Sequence, residues 1–273
     1  MSHTPAEAAP RFGLIIVGDE ILSGRRQDKH LVKVIELLGA RGLQLAWAHY
    51  AGDDRAALVQ LLERSFASGD VVFSCGGIGS TADDHTRQAA AAALGRALVL
   101  HPEAERLITE RCQEMAREGR GDADMNSPEN RQRLKMGEFP AGAEIIPNPF
   151  NRIPGFTIER HWFVPGFPVM AWPMIEWALD THCSAWFQQG AWVEQSVIVF
   201  GAMEASLTPL MEQIERQHSG VKVFSLPSVD HPQFGRHIEL GVKGAPSAVQ
   251  PAYADLHAGL QDFGAKLGPE LVR

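Results

Sequence analysis

The order of apolar and polar positions predicts alternating strands and helices over the first third of the chain. Apolar runs typical of buried strands occur at residues 12–18 (FGLIIVG), 43–50 (LQLAWAHY) and 71–75 (VVFSC). Apolar residues recur at helical spacing between and after these runs, at residues 31–42, 53–69 and 85–98. This βαβαβα order predicts an α/β fold with three layers, in which helices cover both faces of a mostly parallel sheet.

The pattern changes twice further along the chain. We expect an exposed helix at 102–119, a polar loop at 120–130, short β runs broken by prolines and glycines at 144–172, and a closing helix at 168–183. From Trp192 onward the order is strand, helix, two strands and helix, which predicts a second, smaller α+β domain. The predicted boundaries are 1–11 for a disordered leader, 12–187 for the first domain and 190–268 for the second.

Composition and charge narrow the class of protein. The chain has 273 residues, 45% of them hydrophobic, and a formal net charge of -8, which argues against broad binding to nucleic acid or to an anionic membrane surface. Its three cysteines (Cys75, Cys112 and Cys183) form no CxxC pair, which favours a reducing compartment. No secretory signal and no apolar run of ~20 residues is visible, so we expect a cytoplasmic protein without membrane or nucleic-acid partners.

Two polar segments follow predicted strands and are candidates for a ligand site. GDEILSG (18–24) follows the first strand, and GGIGSTADDHT (76–86) follows the third. In open parallel sheets, ligands bind at the carboxyl ends of the strands, so these two segments should meet there. Glycines and hydroxyls suit a phosphate, whereas adjacent carboxylates would repel it.

Three known glycine-loop patterns compete for the segment 76–86. Gly77, Gly79 and Ala82 satisfy G-x-G-x-x-A, but a dinucleotide fingerprint normally follows the first strand. A P-loop would need Gly-Lys-Ser/Thr, which is missing. The third possibility is a tight turn in which Asp83 or Asp84 simply caps the next helix.

A divalent cation would reconcile the carboxylates with a phosphate. Asp83 and Asp84 could hold Mg²⁺, and the cation would bridge to a phosphate in the glycine loop. Asp19 and Glu20 lie at the same predicted edge of the sheet and could assist, although each could also cap a helix. Oxygen-only ligands favour a hard cation over zinc.

Four segments together resemble a known family. GDEILSG, GGIGSTADDHT, PNPFNRIPGF and VPGFPVMAWPM occur in the order and spacing of the MoaB/Mog-like molybdopterin-binding domain. The chain resembles more specifically the amino-terminal region of the CinA family, in which a small KH-like module follows. The resemblance implies the following ligand-site residues: Gly76, Gly77, Gly79, Ser80, Thr81, Asp83, Asp84, Thr86, Asp19, Glu20, Asn148, Pro165, Gly166 and Pro168.

The chain departs from the family pattern at several of these segments. Ser80 replaces a usual proline, and His30 aligns with a usual asparagine. Asn151-Arg152-Ile153 replaces a usual Gly-Thr-Ala, and Asn151 would tolerate left-handed geometry there. Arg152 either brings a cation to the ligand, where it would suit a phosphate, or stays solvated.

The resemblance implies function only in outline. It leaves open the hydrolysis of a pyrophosphate such as ADP-ribose by a Mg²⁺-dependent enzyme, molybdopterin adenylylation, and a non-catalytic module that binds a nucleotide or molybdopterin. We favour the hydrolase, as a homo-oligomer (dimer or trimer) without the carboxy-terminal deamidase domain of longer relatives. Trp162, Trp172 and Trp177 flank the PGFP motif and could stack on a pterin or adenine, although core packing is the commoner role of tryptophan.

Overall fold

The computed structural model describes residues 10–187 and 192–273, which form two compact units, one within residues 1–187 and one within residues 188–273. Most of the predicted leader (1–11) and the predicted start of the second domain at residue 190 lie outside the described residues. The two units are considered separately below.

The first unit contains eight strands and seven α-helices among its described residues. The strands are β1 (Phe12–Val17), β2 (Leu45–Ala51), β3 (Val71–Cys75), β4 (Leu98–Leu100), β5 (Glu138–Pro140), β6 (Glu144–Ile146), β7 (Gly155–Ile158) and β8 (His161–Val164). The helices are α1 (Asp19–Leu22), α2 (His30–Gly39), α3 (Arg55–Ser68), α4 (Thr86–Ala93), α5 (Pro102–Arg117), α6 (Pro128–Leu134) and α7 (Pro168–His182).

The main sheet has six strands in the order β2-β1-β3-β8-β7-β6. Strands β2, β1, β3 and β8 are mutually parallel, whereas β7 runs antiparallel to both of its neighbours. Because side chains alternate along a strand, neighbouring residues of β1 enter different cores: Leu14 joins α2 and α7 on one face, and Ile15 joins α3 and α4 on the other. The predicted mostly parallel three-layer architecture is confirmed.

Two local predictions in this unit are wrong. The helix predicted to reach residue 98 ends at Ala93, because Gly95 takes a left-handed conformation (φ 62°) and the chain then forms β4, which pairs with β5. The predicted loop 120–130 contains the start of α6. Ser127 caps this helix by accepting a hydrogen bond from the Asn130 N–H, and Pro128 occupies its first turn.

The second unit is a four-stranded antiparallel sheet with two helices. Its elements are β9 (Val193–Phe200), α8 (Glu204–Gln217), β10 (Lys222–His231), β11 (Gly235–Gly244), α9 (Pro246–Asp262) and β12 (Lys266–Val272), and the strand order is β10-β11-β9-β12. Both helices pack on one core with the sheet, where Val197, Leu240, Leu207 and Leu256 are fully buried or nearly so.

The last strand of this unit was not predicted. The helical pattern was expected to continue to residue 268, but α9 ends at Asp262, and Gly264 takes a left-handed conformation (φ 77°). The following residues pair with β9 as β12, so the order is βαββαβ instead of βαββα. Among the helices of residues 10–187 and 192–273, none is long and apolar enough to cross a membrane.

Candidate functional site

The carboxyl ends of the parallel strands open into a cavity of about 400 Å³. Loops after β1, β2, β3 and β8 line it, together with the turn before β7. Such a volume lies within the range of small-molecule sites. The predicted site residues that line this cavity are Glu20, Gly76, Gly77, Gly79, Ser80, Thr81, Asp83, Asp84, Asn148, Pro165 and Gly166. The other four predicted residues, Asp19, Thr86, Arg152 and Pro168, are not among its lining residues.

The glycines after β3 are required by close packing as well as by backbone conformation. Gly76 has φ 105°, and a Cβ atom there would lie 2.3 Å from the carbonyl oxygen of Val17. Gly77 has φ 69°, and its Cβ would lie 2.1 Å from Oγ1 of Thr86. Larger residues would therefore push the loop away from β1 and α4, and glycine keeps its backbone at the cavity wall.

The hydroxyls and the second aspartate brace the loop from within. Oδ2 of Asp84 accepts hydrogen bonds from the backbone N–H of Thr81 at 2.8 Å and from its hydroxyl at 2.5 Å. The Thr86 hydroxyl donates to the carbonyl oxygen of Gly76 at 3.1 Å. One oxygen of Asp84 is therefore committed to the loop, and Thr86 supports the loop from behind.

Two side chains from other segments hold the same loop, and sequence analysis missed both. Arg87 is buried, and its guanidinium donates to the carbonyl oxygen of Gly79 at 2.7 Å and also to that of Lys135. Gln132 donates to the carbonyl oxygen of Ser80 at 2.9 Å. The S-P-E-N sequence that starts α6 could have indicated the helix that carries Gln132.

Four carboxylates line the cavity: Glu20, Asp53, Asp83 and Asp84. The Thr81 side chain lowers the pKa of the exposed Asp83 below its ordinary value, so Asp83 is ionised at neutral pH. The pKa of Asp53 is raised, first by burial and then by the negative charges of Asp19, Glu20 and Asp83, against a hydrogen bond from the Asp19 backbone that lowers it. Within the described residues, no group of three or more His, Cys, Asp or Glu side chains is arranged to hold a metal ion on its own.

Asp53 is a third residue that sequence analysis missed, because it stands at the start of the segment 53–69 that was predicted as a helix. In the structure Asp54 is the cap, and its carboxylate accepts from the Ala57 N–H at 2.8 Å. The Asp53 carboxylate accepts from the Asp19 N–H at 2.9 Å, and the Asp53 N–H donates to the Asp19 carboxylate at 3.2 Å. This reciprocal pair joins the loops after β1 and β2 and uses the Asp19 carboxylate for that purpose.

The turn before β7 is closed by Asn148. Its amide nitrogen donates to Oδ1 of Asn151 at 2.8 Å and to the carbonyl oxygen of Ile153 at 2.9 Å, while its Oδ1 accepts from the Phe150 N–H at 3.0 Å. The left-handed residue of this turn is Arg152, with φ 66°, and not Asn151, which could have tolerated that conformation. Asn148 is thus a turn-forming residue at the cavity wall.

The cation at the cavity is Arg26 and not Arg152. Arg152 is exposed, and its guanidinium lies 3.9 Å from a carboxylate oxygen of Glu114. Arg26 lines the cavity, lies 3.4 Å from Oε1 of Glu20, and is 5.6 Å from the ring centroid of Phe167. Of the two alternatives left open for Arg152, the structure shows the solvated one.

The PGFP motif is held between α2 and the glycine loop. His30 is buried, and its Nε2 donates to the carbonyl oxygen of Gly166 at 3.1 Å, so His30 lies behind the motif. A Cβ atom on Gly166 would lie 3.4 Å from Cα of Gly76, and Pro168 is the first residue of α7. Trp162, Trp172 and Trp177 all pack on the core beside α7, as expected. The aromatic ring that lines the cavity is Phe167.

The chain matches one protein family and is similar in sequence to proteins of bacteria and archaea. Residues 13–182 match the family described as probable molybdopterin binding domain. A CinA-like protein of Geobacter metallireducens is 32% identical over 218 residues, 78% of this chain and 50% of that protein, so the chain spans half the length of this relative. A protein of Aeropyrum pernix is 32% identical over 225 residues, 81% of this chain and 80% of that protein.

One solved structure is similar in both sequence and fold. It is the crystal structure of the protein CinA, described as having unknown function, from Thermoplasma acidophilum. The match has a TM-score of 0.52 and 27% sequence identity, and it covers 63% of this chain and 96% of that one.

Proposed function

This chain belongs to the family of probable molybdopterin binding domains and has CinA-like relatives, and from that premise we propose that its cavity binds a phosphorylated nucleotide or pterin with Mg²⁺ and hydrolyses a pyrophosphate bond. The observation that carries this proposal is the meeting of the glycine loop with four carboxylates around a single cavity. A phosphate alone would be repelled by those carboxylates, whereas a phosphate with a divalent cation would be attracted.

The donor set of the cavity fits a hard divalent cation. Its charged acceptors are all carboxylates, and the raised pKa of Asp53 shows that their negative charges repel one another there, in addition to the effect of burial. Mg²⁺ is commonly bound through one or two carboxylates together with phosphate oxygens, so it does not need a cluster of three protein ligands. Asp83 and the oxygen of Asp84 that does not bind Thr81 would hold it. When bound, such an ion neutralises charge on phosphate oxygens and lowers the pKa of a bound water.

Other residues of the cavity would bind the phosphate, accept the proton of the attacking water and balance the charge. The loop backbone at Gly77 and Gly79 lets phosphate oxygens approach closely. Hydrolysis joins a water oxygen to phosphorus and breaks the bridging P–O bond, and the water proton needs an acceptor. Asp53 suits this role, since its raised pKa lies closer to neutral pH than the pKa of an ordinary carboxylate does. Arg26 balances the charge of Glu20 at the rim.

The direct test is the release of AMP from ADP-ribose. We expect release by the wild-type protein with Mg²⁺ and none when EDTA is present. Asp83→Asn should lower the rate by at least about 100-fold, as expected for loss of a group that holds a catalytic cation. Glu63→Gln is the matched control, because it removes one negative charge from the exposed face of α3, outside the cavity, and should leave the rate unchanged.

Calorimetry separates hydrolysis from binding alone. Ligand affinity that depends on Mg²⁺ and falls in Asp83→Ala, without AMP release over several divalent metals, would favour the non-catalytic binding module. If both Asp83→Ala and Asp84→Ala keep the full Mg²⁺-dependent affinity of the wild type, the proposed cation site is refuted.

A further inference from the structure

The geometry points to Phe167 and Arg26 as a clamp for the planar ring of the ligand, and we propose that a purine or pterin ring stacks between them. This inference rests on the proposed function, because it names the part of the same ligand that lies away from the phosphate. It adds two residues that no motif of the sequence had marked as ligand contacts.

Phe167 places an aromatic ring in the cavity lining, on a segment of backbone that is held by hydrogen bonds. Its side chain is 53% exposed although it lies beside a cavity, whereas the three tryptophans nearby pack on the core. The carbonyl oxygen of Phe167 accepts hydrogen bonds from Met170 N–H and Ala171 N–H, both at 2.9 Å, which ties it to the first turn of α7. The preceding carbonyl, of Gly166, is held by His30. The backbone that carries the Phe167 ring is therefore already ordered, which lowers the entropy cost of stacking a ligand ring on it.

Arg26 supplies the second, movable face of the clamp. Its guanidinium lies 5.6 Å from the Phe167 ring centroid, and its side chain is 55% exposed. A planar ring inserted between two planar groups needs about 7 Å between them, twice an ordinary carbon contact, so Arg26 would move outward slightly. Glu20 lies 3.4 Å away and can stay paired during such a movement. A planar guanidinium stacks on an aromatic ring in a way that an ammonium does not.

Four further side chains of the cavity lining suit a ring and not a phosphate. Apolar side chains from three further segments line the same cavity: Met136, Ile153, Pro154 and Met170. Methionine and proline make favourable contacts with flat rings and give no hydrogen bond to a phosphate. The cavity lining thus combines apolar side chains and one aromatic ring with glycines and carboxylates, as a nucleotide or pterin phosphate requires.

Calorimetry with two ligands tests the clamp. We measure the affinities for AMP and for ribose 5-phosphate, both with Mg²⁺, because the two differ by the base. Phe167→Ala should weaken AMP binding by about tenfold or more, as expected for the loss of one base-stacking contact, and leave ribose 5-phosphate unchanged. Phe167→Trp should retain AMP affinity. Phe150→Ala is the matched control, since Phe150 is 60% exposed but does not line the cavity.

Arg26 is tested against its neighbour. Arg26→Ala should weaken AMP binding by about threefold to tenfold, and Arg26→Lys should not restore it, because the lysine charge is not planar. Arg25→Ala removes the same charge one residue away, outside the lining of the cavity, and should leave the affinities for AMP and for ribose 5-phosphate unchanged. Circular dichroism of each variant checks that the fold is intact.

The outcomes separate the clamp from the proposed function. If wild type binds both ligands and Phe167→Ala weakens both equally or neither, the clamp is refuted while the phosphate site stands. If Phe167→Ala discriminates between the ligands but ADP-ribose is not hydrolysed, the clamp stands and hydrolysis is refuted. If wild type binds neither ligand with Mg²⁺, both fail. Replacing AMP with 6-hydroxymethylpterin diphosphate shows which ring the clamp prefers, and a Phe167-dependent affinity for either ring supports it.

Discussion

The two ends of the main sheet both carry paired polar side chains, but the cavity described above lies at the carboxyl end. At the amino end, the Ser65 hydroxyl bonds to Nε2 of His161 at 2.7 Å, and Nε1 of Trp47 donates to the Asp70 carboxylate at 2.8 Å. Ser65, Asp70 and His161 are buried. In each pair a donor meets an acceptor, so the pair satisfies itself and leaves nothing to offer a ligand.

At the carboxyl end, some carboxylate oxygens of the described residues lack hydrogen-bond donors or lie close to other negative charges. Asp84 uses one oxygen for Thr81, and Asp83, Glu20 and Asp53 add negative charge around the same cavity. The raised pKa of Asp53 reflects this unbalanced charge as well as burial. Paired polar side chains therefore do not distinguish the two ends, whereas uncompensated charge beside a cavity makes the carboxyl end the candidate site.

The largest expected effect is on the backbone of the glycine loop. Gly76→Ala places a methyl group 2.3 Å from a backbone oxygen at φ 105°, so we expect it to lower the free energy of unfolding by about 3 kcal/mol or more. Gly95→Ala is the control, because Gly95 also has positive φ (62°) but has open space around it, and it should cost about 1 kcal/mol. Urea denaturation measures both. Equal losses would show that the close packing of the loop is not what requires glycine.

The amino end should make the protein sensitive to acid. Nδ1–H of His161 donates to the Glu159 carbonyl, so Nε2 accepts from Ser65, and burial lowers the pKa of His161 from 6.5 to about 4. As the pH falls from 6.5 towards 4, the unfolded chain binds a proton that the folded protein does not. This difference should remove roughly 3 kcal/mol of stability at about 1.4 kcal/mol per pH unit.

His161→Gln removes this titration. Urea denaturation from pH 7 to pH 4 should therefore show a smaller loss of stability in His161→Gln than in wild type. The exposed His49 provides the control, and His49→Gln should follow the wild-type pH dependence. Parallel curves for His161→Gln and wild type would mean that His161 takes up its proton at the same pH in the folded and the unfolded chain.

The adjacent aspartates should differ in their effect on stability. Asp84→Ala removes the acceptor of two hydrogen bonds from Thr81, so we expect a loss of about 1 kcal/mol. Asp83→Ala should cost less than Asp84→Ala, because the Asp83 carboxylate is exposed and solvent screens its interaction with the Thr81 side chain. Thermal denaturation in the absence of ligand compares the two. The reverse order would exchange the roles that we assign to them.

The smallest expected effect on stability is at the ion pair between Arg26 and Glu20, at the rim of the cavity. Glu20→Gln breaks an ion pair between two half-exposed side chains, Arg26 and Glu20, and should change the free energy of unfolding by less than about 0.5 kcal/mol. High salt should abolish even this difference. A loss of several kcal/mol in low-salt urea denaturation would show that the rim is built for stability, as the amino end is.

Elements with a regular pattern could be predicted from the sequence, and those that depend on a distant partner could not. Strands β1 and β3 are short apolar runs that are buried throughout, and both were predicted. Strand β12 was missed because a run such as AKLG (265–268) has no strand pattern of its own and becomes a strand by pairing with β9. Strand β4 was missed for the same reason, since it pairs with a strand almost 40 residues away.

The residues of the candidate site likewise include some that could be predicted from the sequence and some that could not. The glycine loop and Asp83 follow directly from the motif and from the rule that parallel strands end at one edge, and the structure brings them to the cavity. Arg26 and Asp53 also line the cavity, but they lie in the loops after β1 and β2 and outside every motif. Arg152 lies within the motif PNPFNRIPGF, yet it pairs with Glu114 and is not among the lining residues. Whether a side chain on a loop faces the cavity depends on its backbone angles and on its partner across the loop.

The sequence by itself determined the parallel sheet, the glycine loop at its carboxyl edge and the adjacent aspartates behind it, because strand periodicity and glycine conformation are local properties. Only the tertiary structure decided which hydrogen-bond partner each acidic side chain has. Asp84 turns one oxygen to Thr81, Asp19 pairs with the loop of Asp53, and Asp83 stays exposed. A carboxylate next to a free N–H will bind it, and for Asp19 and Asp53, which are 34 residues apart, that N–H is near only when the loops after β1 and β2 have come together.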